Sequence, residues 1–313
     1  MFAYLIRRML SAIPVMAIVA VFVFLLIRLA PGDPAAIIAG DYATAESIKS
    51  IRASLGLDQP IHEQFLLYLG RLAKGDLGIS LHSKQPVGLL IRQRVEPTVA
   101  LALSTLIFSV LVAVPLGTLA AAKSGTWVDR AVMVLAVGGF SIPVFWLGFL
   151  LIYVFAVKLG VLPVQGYVSI SQGFVPFIRH LVLPTLALGT VYMALLARIT
   201  RASLLDVLAS DYIRTARAKG LGSLRVLFLH ALKNAAVPIV TTIGLGFALL
   251  IGGVVITESV FALPGLGRLT VDAVLQRDYS IIQGITLLSA LVYVLVNLAV
   301  DLCYTFFDPR IRY

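Results

Sequence analysis

Very few residues in this sequence combine the types and spacing that enzyme chemistry requires. His62 and Glu63 could begin a zinc-protease motif, in which a second histidine follows on the same helix face and completes the metal site. Leu66 and Leu67 stand where that histidine is needed. The other histidines are dispersed along the chain, so we interpret them as solvated or interfacial residues: His82, His180 and His230.

Neither a serine nucleophile nor a phosphate-binding loop is well supported. Ser141 follows a Gly-Phe pair, but Pro143 lies close behind it, and no apolar run contains a histidine that could act as the base. We therefore interpret Ser141 as a polar residue at a kink. The sequence has no Gly-Lys pair, and hence no Walker A loop for ATP. It predicts a non-catalytic chain with no catalytic residue, metal site or cofactor site of its own.

The clearest polar pattern is a basic segment, Asp211–Pro238, which reads as helix, glycine, helix. Ser210 predicts the N-cap of the first helix, whose acidic start and basic end follow the helix dipole. Gly220 predicts the left-handed residue that ends this helix, and Ser223 can cap the second. Helices this short are marginal alone in water, so we expect the segment to pack against another element.

The elements that position this segment are those of an integral membrane protein. Hydrophobic residues make up 60% of the 313 positions and charged residues only 13%. The net charge of +10 comes from 25 basic and 15 acidic residues, and membrane topology explains it better than a nucleic-acid partner does. The single cysteine, Cys303, excludes an intrachain disulfide.

Six runs without a charged side chain predict an all-α protein with six transmembrane helices, because each approaches the roughly 20 residues that cross a bilayer. The runs are Met9–Ile27, Thr98–Ala122, Ala131–Val157, Leu181–Ala197, Ala235–Thr257 and Tyr279–Val300. Prolines in or near them predict bends: Pro14, Pro115, Pro143, Pro184 and Pro238. The first run is too long for a signal-peptide core and lacks a small-residue cleavage site, so we expect it to be retained.

The distribution of Lys and Arg predicts that both termini are cytoplasmic. The inside segments then hold thirteen basic residues: Arg7, Arg8, Lys123, Arg130, Arg198, Arg201, Arg214, Arg217, Lys219, Arg225, Lys233, Arg310 and Arg312. The two short outside loops hold four: Lys158, Arg179, Arg268 and Arg277.

The chain, residues 1–313, is predicted to form one transmembrane domain with an extracytoplasmic insert at residues 31–97 and a cytoplasmic loop at residues 198–234. The insert reads as short amphipathic helices separated by turns. Two interpretations remain open for it: a cap that meets a receptor or shapes an entrance, and a packed loop that covers the ends of spans.

Polar side chains inside the runs could line a passage, although hydrogen bonding between helices explains them better. They are Ser141, Tyr153, Thr241, Thr242, Gln283 and Asn297. The runs contain no ionisable side chain, which disfavours an ion-coupled carrier, and we expect water to reach Glu258 and Asp301 just beyond the span ends. Glycines in the fifth run predict close approach of another helix: Gly244, Gly246, Gly252 and Gly253.

With these features, the sequence resembles the permease subunits of bacterial ABC importers, most closely those of the peptide, glutathione and nickel group. YIRTARAKGL at Tyr212–Leu221 resembles the EAA loop of these permeases. The other matching motifs are RLAPGDP at 28–34, LGLDQP at 55–60, GDLGIS at 75–80, ALPGLGRL at 262–269, RDY at 277–279 and DPRIRY at 308–313. The resemblance extends over nearly the whole chain.

The resemblance implies the type I ABC importer permease fold and a heteromeric importer in the bacterial inner membrane. It implies four kinds of partner: a homologous second permease, two cytoplasmic ATPase subunits that bind ATP and Mg, an extracytoplasmic solute-binding protein, and the lipid bilayer. The chain resembles the first permease, which carries the long insert. Dipeptides or short oligopeptides are the first choice of substrate, with glutathione or a nickel chelate as the alternative.

The resemblance also implies that residues 211–222 form a coupling helix in a groove of an ATPase subunit, and that transport proceeds by alternating access. The residues carrying this role are Tyr212, Arg214, Ala216, Arg217, Lys219, Gly220 and Leu221. Arg214 stands where the general motif has glutamate, and Pro238 follows Gly220 at a longer interval than in the general motif. For this segment, the competing interpretation is that its charges serve only membrane topology. For the whole chain, the competing interpretations are a secondary carrier and a membrane-embedded hydrolase.

Overall fold

The computed structural model describes residues 2–29, 35–36, 44–54 and 56–307, and within them the chain is helical without a named β-strand. The first helices are α1 (Phe2–Leu29), α2 (Ala45–Ser54), α3 (Ile61–Ala73), α4 (Val87–Ala122), α5 (Trp127–Ser141) and α6 (Val144–Leu151), which continues as a π-helix, Ile152–Lys158. The remaining helices are α7 (Phe174–Leu208), α8 (Asp211–Ala218), α9 (Ser223–Arg225), which continues as a π-helix, Val226–Leu232, then α10 (Ala236–Val260), α11 (Leu266–Leu275) and α12 (Tyr279–Phe307). Most of the RLAPGDP motif and all of DPRIRY, with Arg310 and Arg312, lie outside the described residues.

Four of the described helices are long and apolar enough to cross a membrane unbroken: Arg8–Leu26, Val87–Ala122, Phe174–Leu208 and Tyr279–Cys303. Two further candidates are bent pairs, Trp127–Ser141 with Val144–Lys158 at 99° and Ser223–Leu232 with Ala236–Phe247 at 56°. Counting each pair as one span gives the six that the apolar runs predict. The insert predicted from the sequence, residues 31–97, ends inside α4, because that helix begins at Val87.

The third apolar run contains a sharp break instead of one long helix. Ser141 is the last residue of α5, and its hydroxyl donates to the Val137 carbonyl at 2.9 Å. Pro143, which has no N–H to continue the helical ladder, precedes α6. The kink predicted at Ser141 is therefore confirmed.

The described chain divides into two compact units, residues 1–94 with 269–294 and residues 95–268 with 295–313. In the second unit α7 packs closely on α4. The Ser109 hydroxyl donates to the Gly189 carbonyl at 3.2 Å, and a Cβ on Gly117 would lie 2.6 Å from the Ala197 carbonyl oxygen. Small residues eight apart on α4 therefore let the two backbones approach.

The close approach predicted for the fifth span is made to helices of this same chain. A Cβ on Gly246 would overlap the Tyr192 ring of α7, and one on Gly244 would overlap Val300 of α12. The Tyr192 hydroxyl donates to the carbonyls of Thr242 and Ile243 on α10, at 3.0 Å each. The surroundings of Gly252 and Gly253 lie outside the described side chains.

The expectation that water reaches Glu258 and Asp301 is wrong, because both side chains are buried. Glu258 accepts hydrogen bonds from the Thr98 hydroxyl and, at 2.9 Å, from the backbone N–H of Arg268. A Cβ on Gly265 would overlap the Glu258 carboxylate, so the ALPGLGRL motif folds back over it. The position of Glu258 just beyond the end of a span does not indicate that this loop folds back over its side chain.

In the first unit, two motifs that are far apart in sequence contact each other. The Ser80 hydroxyl, at the end of GDLGIS, donates to the Asp278 carboxylate of RDY at 2.6 Å, and both side chains are buried. The second oxygen of Asp278 accepts from the Ile281 N–H at 3.4 Å, which caps the start of α12. The part of the insert around Ser80 is thus packed, in agreement with the packed-loop interpretation.

Candidate coupling surface

α8 begins where the sequence predicts, but its N-cap lacks the expected side-chain bond. Ser210 has the extended backbone of an N-cap, with φ −71° and ψ 149°. Its hydroxyl, however, donates to the Asp206 carbonyl at 3.4 Å, because α7 extends to Leu208 and brings that acceptor within reach. The prediction of a capping side chain at Ser210 is therefore wrong, while the position of the helix start is confirmed.

The end of α8 is built around Gly220, as predicted. Gly220 has φ +84°, a left-handed conformation that disfavours residues with a Cβ. Its N–H donates to the Arg217 carbonyl at 2.9 Å, and the next N–H, from Leu221, donates to the Ala216 carbonyl at 3.3 Å. These two bonds form a Schellman motif, which fixes the direction in which the chain leaves the helix.

The second helix begins one residue earlier than predicted. Gly222 occupies the N-cap position with φ −63°, and Ser223 is the first residue of α9. The helix then loosens into the π-helix and reaches Asn234, whose amide donates to the His230 carbonyl at 2.6 Å. The turn between α8 and α9 is consequently very short, and the direction of α9 depends on Gly220.

One face of α8 is held by apolar contacts. Ile213 is fully buried and Ala216 is buried three residues later, on the same side of the helix. They belong to a core cluster with Leu204 of α7 and with Val226 and Ala231 of the second helix. Burial of this face supplies the packing that a helix of this length needs.

The opposite face of α8 is exposed and mostly basic. Arg217 and Lys219 are exposed, and Tyr212 is 44% exposed. Partial burial raises the pKa of the Tyr212 phenol above its ordinary value. Arg214 pairs with Asp211 at 3.0 Å, and both side chains face solvent. The residues named from the sequence thus divide between the buried Ala216, the half-buried Leu221, which packs on the same core cluster, and a set that is exposed.

Exposed apolar residues near this face were missed by the sequence analysis. Leu224 is 73% exposed, and Phe228 and Leu229 are also exposed. Leu224 and Phe228 are four residues apart and therefore share a helix face, while Val226 and Leu227 are the buried positions. The available signal was the run of four consecutive apolar residues at 226–229, which is wider than one buried face of a helix. A surface that is basic and apolar is suited to a protein partner.

A buried ion pair ties the helix before α8 to α5. Arg201 of α7 donates to both carboxylate oxygens of Asp129, at 2.5 and 2.7 Å. Asp129 also accepts from the Gly125 N–H at 2.9 Å and is almost fully buried. A bidentate pair of this kind fixes orientation as well as position, so α7 carries α8 on a rigid base.

Three of the six polar side chains proposed for a passage bond to their own helices. The hydroxyls of Thr241 and Thr242 donate to the Val237 and Pro238 carbonyls at 2.7 and 2.9 Å. Ser141 bonds within α5, as described above. Tyr153 is exposed with the Lys158 ammonium 5.6 Å from its ring centroid, and the Gln283 amide donates to the Val23 carbonyl at 2.6 Å. Asn297 lies on α12 and is half-buried. The passage remains a prediction.

Comparison with known proteins agrees with this geometry. Residues 113–313 match the family described as binding-protein-dependent transport system inner membrane component, and residues 1–102 match its N-terminal region. The chain is 54% identical over 310 residues to a probable peptide ABC transporter permease protein, y4tP, of Sinorhizobium fredii, covering 99% of each chain. It is 46% identical over 313 residues to the glutathione transport system permease protein GsiC of Escherichia coli K12, covering 100% of each.

A solved structure shares the fold. The MetNI methionine ABC transporter, in an inward-facing conformation, contains a chain that superposes with a TM-score of 0.58 at 19% sequence identity. The match covers 70% of this chain and 97% of that one. At this identity the likeness concerns the fold alone.

Proposed function

Because this chain belongs to the family of binding-protein-dependent transport system inner membrane components, we propose that it forms half of the translocation pathway of an ATP-driven importer for dipeptides or short oligopeptides. The observation that carries the proposal is α8, a short helix with one buried apolar face and one exposed basic face, closed by Gly220. Its resemblance to the EAA loop and the peptide permease from Sinorhizobium fredii support the same function.

The proposed assembly contains a second, homologous permease, two cytoplasmic ATP-binding subunits and an extracytoplasmic solute-binding protein. ATP and Mg would bind in the ATP-binding subunits, since this chain lacks a Walker A sequence. The chain would lie in the bacterial inner membrane with both termini in the cytoplasm. The excess of Lys and Arg in the segments that include α8 supports this orientation.

In the proposed mechanism, α8 sits in a groove of an ATP-binding subunit and moves with it. When the two subunits close around ATP, the coupling helices approach each other and the permeases open toward the solute-binding protein. Hydrolysis then restores the inward-facing state. The rigid attachment of α8 through Ile213 and the Arg201–Asp129 pair is what lets such a movement reach the spans.

Glutathione is the second candidate substrate, because the Escherichia coli relative that matches the whole chain is a glutathione permease. A nickel chelate is the third candidate substrate, because the group of permeases that the sequence resembles also includes nickel permeases. In each case the solute-binding protein would select the substrate. We therefore expect the same coupling machinery in this chain for all three substrates.

Import into proteoliposomes tests the proposed function. The complete complex should accumulate a labelled dipeptide only with ATP, both ATP-binding subunits and the solute-binding protein present, and unlabelled glutathione or nickel chelate should compete weakly. Omission of the ATP-binding subunits is the control. Accumulation that persists without them would instead indicate a secondary carrier. Strong competition by glutathione against the labelled dipeptide would identify glutathione as the preferred substrate.

A further inference from the structure

The loop that precedes α7, residues 159–173, is fixed to the start of α4 by one carboxylate. Oε1 of Glu96 on α4 accepts hydrogen bonds from the Tyr167 hydroxyl at 3.0 Å and from the Ser169 hydroxyl at 2.7 Å. The same oxygen accepts from the backbone N–H of Ile170 at 3.3 Å. Hydrogen bonds to a charged acceptor are stronger than neutral ones, so Glu96 determines where this part of the loop lies.

The earlier part of the loop is bonded to two other helices. At the end of α10, the Phe261 carbonyl accepts from the Gly166 N–H at 2.9 Å, and the Val260 carbonyl accepts from the Gln165 amide at 3.3 Å. From α7, a guanidinium N–H of Arg179 donates to a carbonyl early in the loop, that of Val161, at 2.8 Å. Since the loop is bonded to α4, α7 and α10, its exposed side chains have defined positions.

The part of the loop next to Glu96 presents a mixed apolar and polar surface. Ile170–Gln172 forms a single 3₁₀ turn, which we call the rim turn. The Ile170 side chain is 56% exposed, and the two polar side chains that follow it are exposed as well. The Ser169 hydroxyl accepts from the Ser171 N–H at 3.3 Å and caps the turn. An apolar side chain among polar ones, on a fixed backbone, suits a protein–protein contact.

Lipid does not account for the exposure of this loop. Residues 159–169 are neither helix nor strand. Irregular backbone is not exposed to the hydrocarbon of a membrane, because its polar groups would lack hydrogen-bond partners there. The exposed side of the loop therefore meets water or another protein.

The loop lies at the opposite end of α7 from the coupling surface. α7 has 35 residues, which corresponds to about 50 Å, whereas the hydrocarbon core is about 30 Å thick. The loop ends where α7 begins, and α8 begins three residues after α7 ends. The next step rests on the proposed function: with α8 in the cytoplasm, the loop faces the other side of the membrane. The family is binding-protein-dependent, so a solute-binding protein is the expected partner there.

We propose that the rim turn is a docking surface for the solute-binding protein and that Glu96 is its positioning residue. Ile170 supplies the apolar contact, and Glu96 holds the backbone N–H of that residue and the hydroxyl that caps the turn. Two residues further along α4, Thr98 donates to the buried Glu258 of α10. The start of α4 is thus itself fixed, which gives the rim turn a firm support.

Stimulation of ATP hydrolysis by the solute-binding protein tests the role of Glu96. In the complete complex, Glu96→Ala removes the acceptor of all three bonds. We expect the concentration of solute-binding protein that gives half-maximal stimulation to rise about tenfold, while the maximal stimulated rate changes less than about twofold. Glu96→Gln is the matched control, because its amide oxygen can accept the same bonds, and it should stay within about threefold of the original protein.

Two results would overturn the positioning role. One is a lower maximal rate with an unchanged half-maximal concentration in Glu96→Ala, which would indicate a structural role only. The other is an equal effect of the alanine and glutamine variants, because the accepted bonds would then be irrelevant.

Photo-crosslinking tests the docking surface directly and does not depend on the Glu96 variants. A photoreactive amino acid replaces Ile170, and in a separate variant it replaces the exposed Ala209 at the other end of α7. We expect position 170 to capture the solute-binding protein and position 209 not to capture it. The complex used must show ATP hydrolysis that the solute-binding protein stimulates.

The other crosslinking outcomes separate this inference from the proposed function. Capture of the second permease from position 170, or no capture there, would overturn the docking surface and leave the proposed function intact. Capture of an ATP-binding subunit from position 170 would overturn both, because the loop would then lie in the cytoplasm.

Discussion

Replacement of Gly220 by valine is expected to abolish ATP-driven import while the protein stays inserted in the membrane. Gly220 has φ +84°, and a residue with a Cβ loses roughly 1–2 kcal/mol in this conformation, with more lost for a β-branched side chain. No atom lies within 4 Å of the added Cβ, so crowding is not the cause. The strain is relieved by breaking the Schellman bonds, which changes the direction of α9 relative to α8. We expect import to fall to near background, because the changed direction of α9 uncouples ATP hydrolysis from the spans.

Gly222→Val is the matched control for this change. Gly222 lies two residues further on, also has open space around its Cβ position, and has φ −63°, which valine adopts without strain. ATPase activity and import should be measured for both variants in the complete complex. Continued ATP hydrolysis with little import in the Gly220 variant, and near-normal import in the Gly222 variant, is the expected pattern. Equal losses in both variants, or full import with Gly220→Val, would contradict it.

Replacement of Asp129 by alanine is expected to cause the largest loss of stability among single changes near α8. The Arg201 guanidinium would lose both carboxylate bonds; breaking a fully buried pair costs about 3–5 kcal/mol, and because Arg201 is partly exposed we expect a loss near the lower end of this range. For a chain of this size we expect the midpoint of thermal unfolding in detergent to fall by about 5–10 °C. Asp129→Ala combined with Arg201→Met should recover part of this loss, because no unpaired charge remains.

The exposed pair Asp211–Arg214 supplies the control for that measurement. Its two side chains are 93% and 77% exposed, and ion pairs of this kind contribute at most about 1 kcal/mol. Asp211→Ala should therefore shift the unfolding midpoint far less than Asp129→Ala does. Similar shifts in the two variants would show that the Arg201–Asp129 pair does not hold α7 on α5 in the way the structure indicates.

Much of the fold follows from local signals in the sequence. Apolar runs of spanning length set the number and place of the membrane helices, because a backbone in lipid must satisfy its own hydrogen bonds. The end of α8 could be placed at Gly220 because a left-handed residue there is a local requirement. The kink after Ser141 follows likewise from Pro143, which cannot donate a hydrogen bond.

The features that the sequence analysis missed depend on where a loop returns and where a helix ends in the folded chain. Glu258 was expected to face water, yet Thr98 and the loop around Gly265 enclose its carboxylate. Ser210 could have capped α8, but the Asp206 carbonyl of the extended α7 accepts its hydroxyl instead. Thr98 is 160 residues from Glu258, and the Asp206 acceptor is available to Ser210 only because α7 extends to Leu208, so a pattern of apolar and polar residues identifies neither partner.

The candidate site was predicted in part. Tyr212, Arg217 and Lys219 are exposed as a coupling surface requires, whereas the exposed Leu224 and Phe228 were not singled out because apolar residues in a short helix are ordinarily assigned to its buried side. The orientation of this surface toward the cytoplasm, and its binding to an ATP-binding subunit, remain predictions.

Site-specific photo-crosslinking tests the central claim that energy reaches this chain through α8. A photoreactive amino acid replaces the exposed Arg217 in the complete, working complex, and replaces the exposed Leu275 in the loop predicted to lie outside as a control. We expect position 217 to capture an ATP-binding subunit and position 275 not to capture one. Capture of the solute-binding protein from position 217, or of an ATP-binding subunit from position 275, would contradict it.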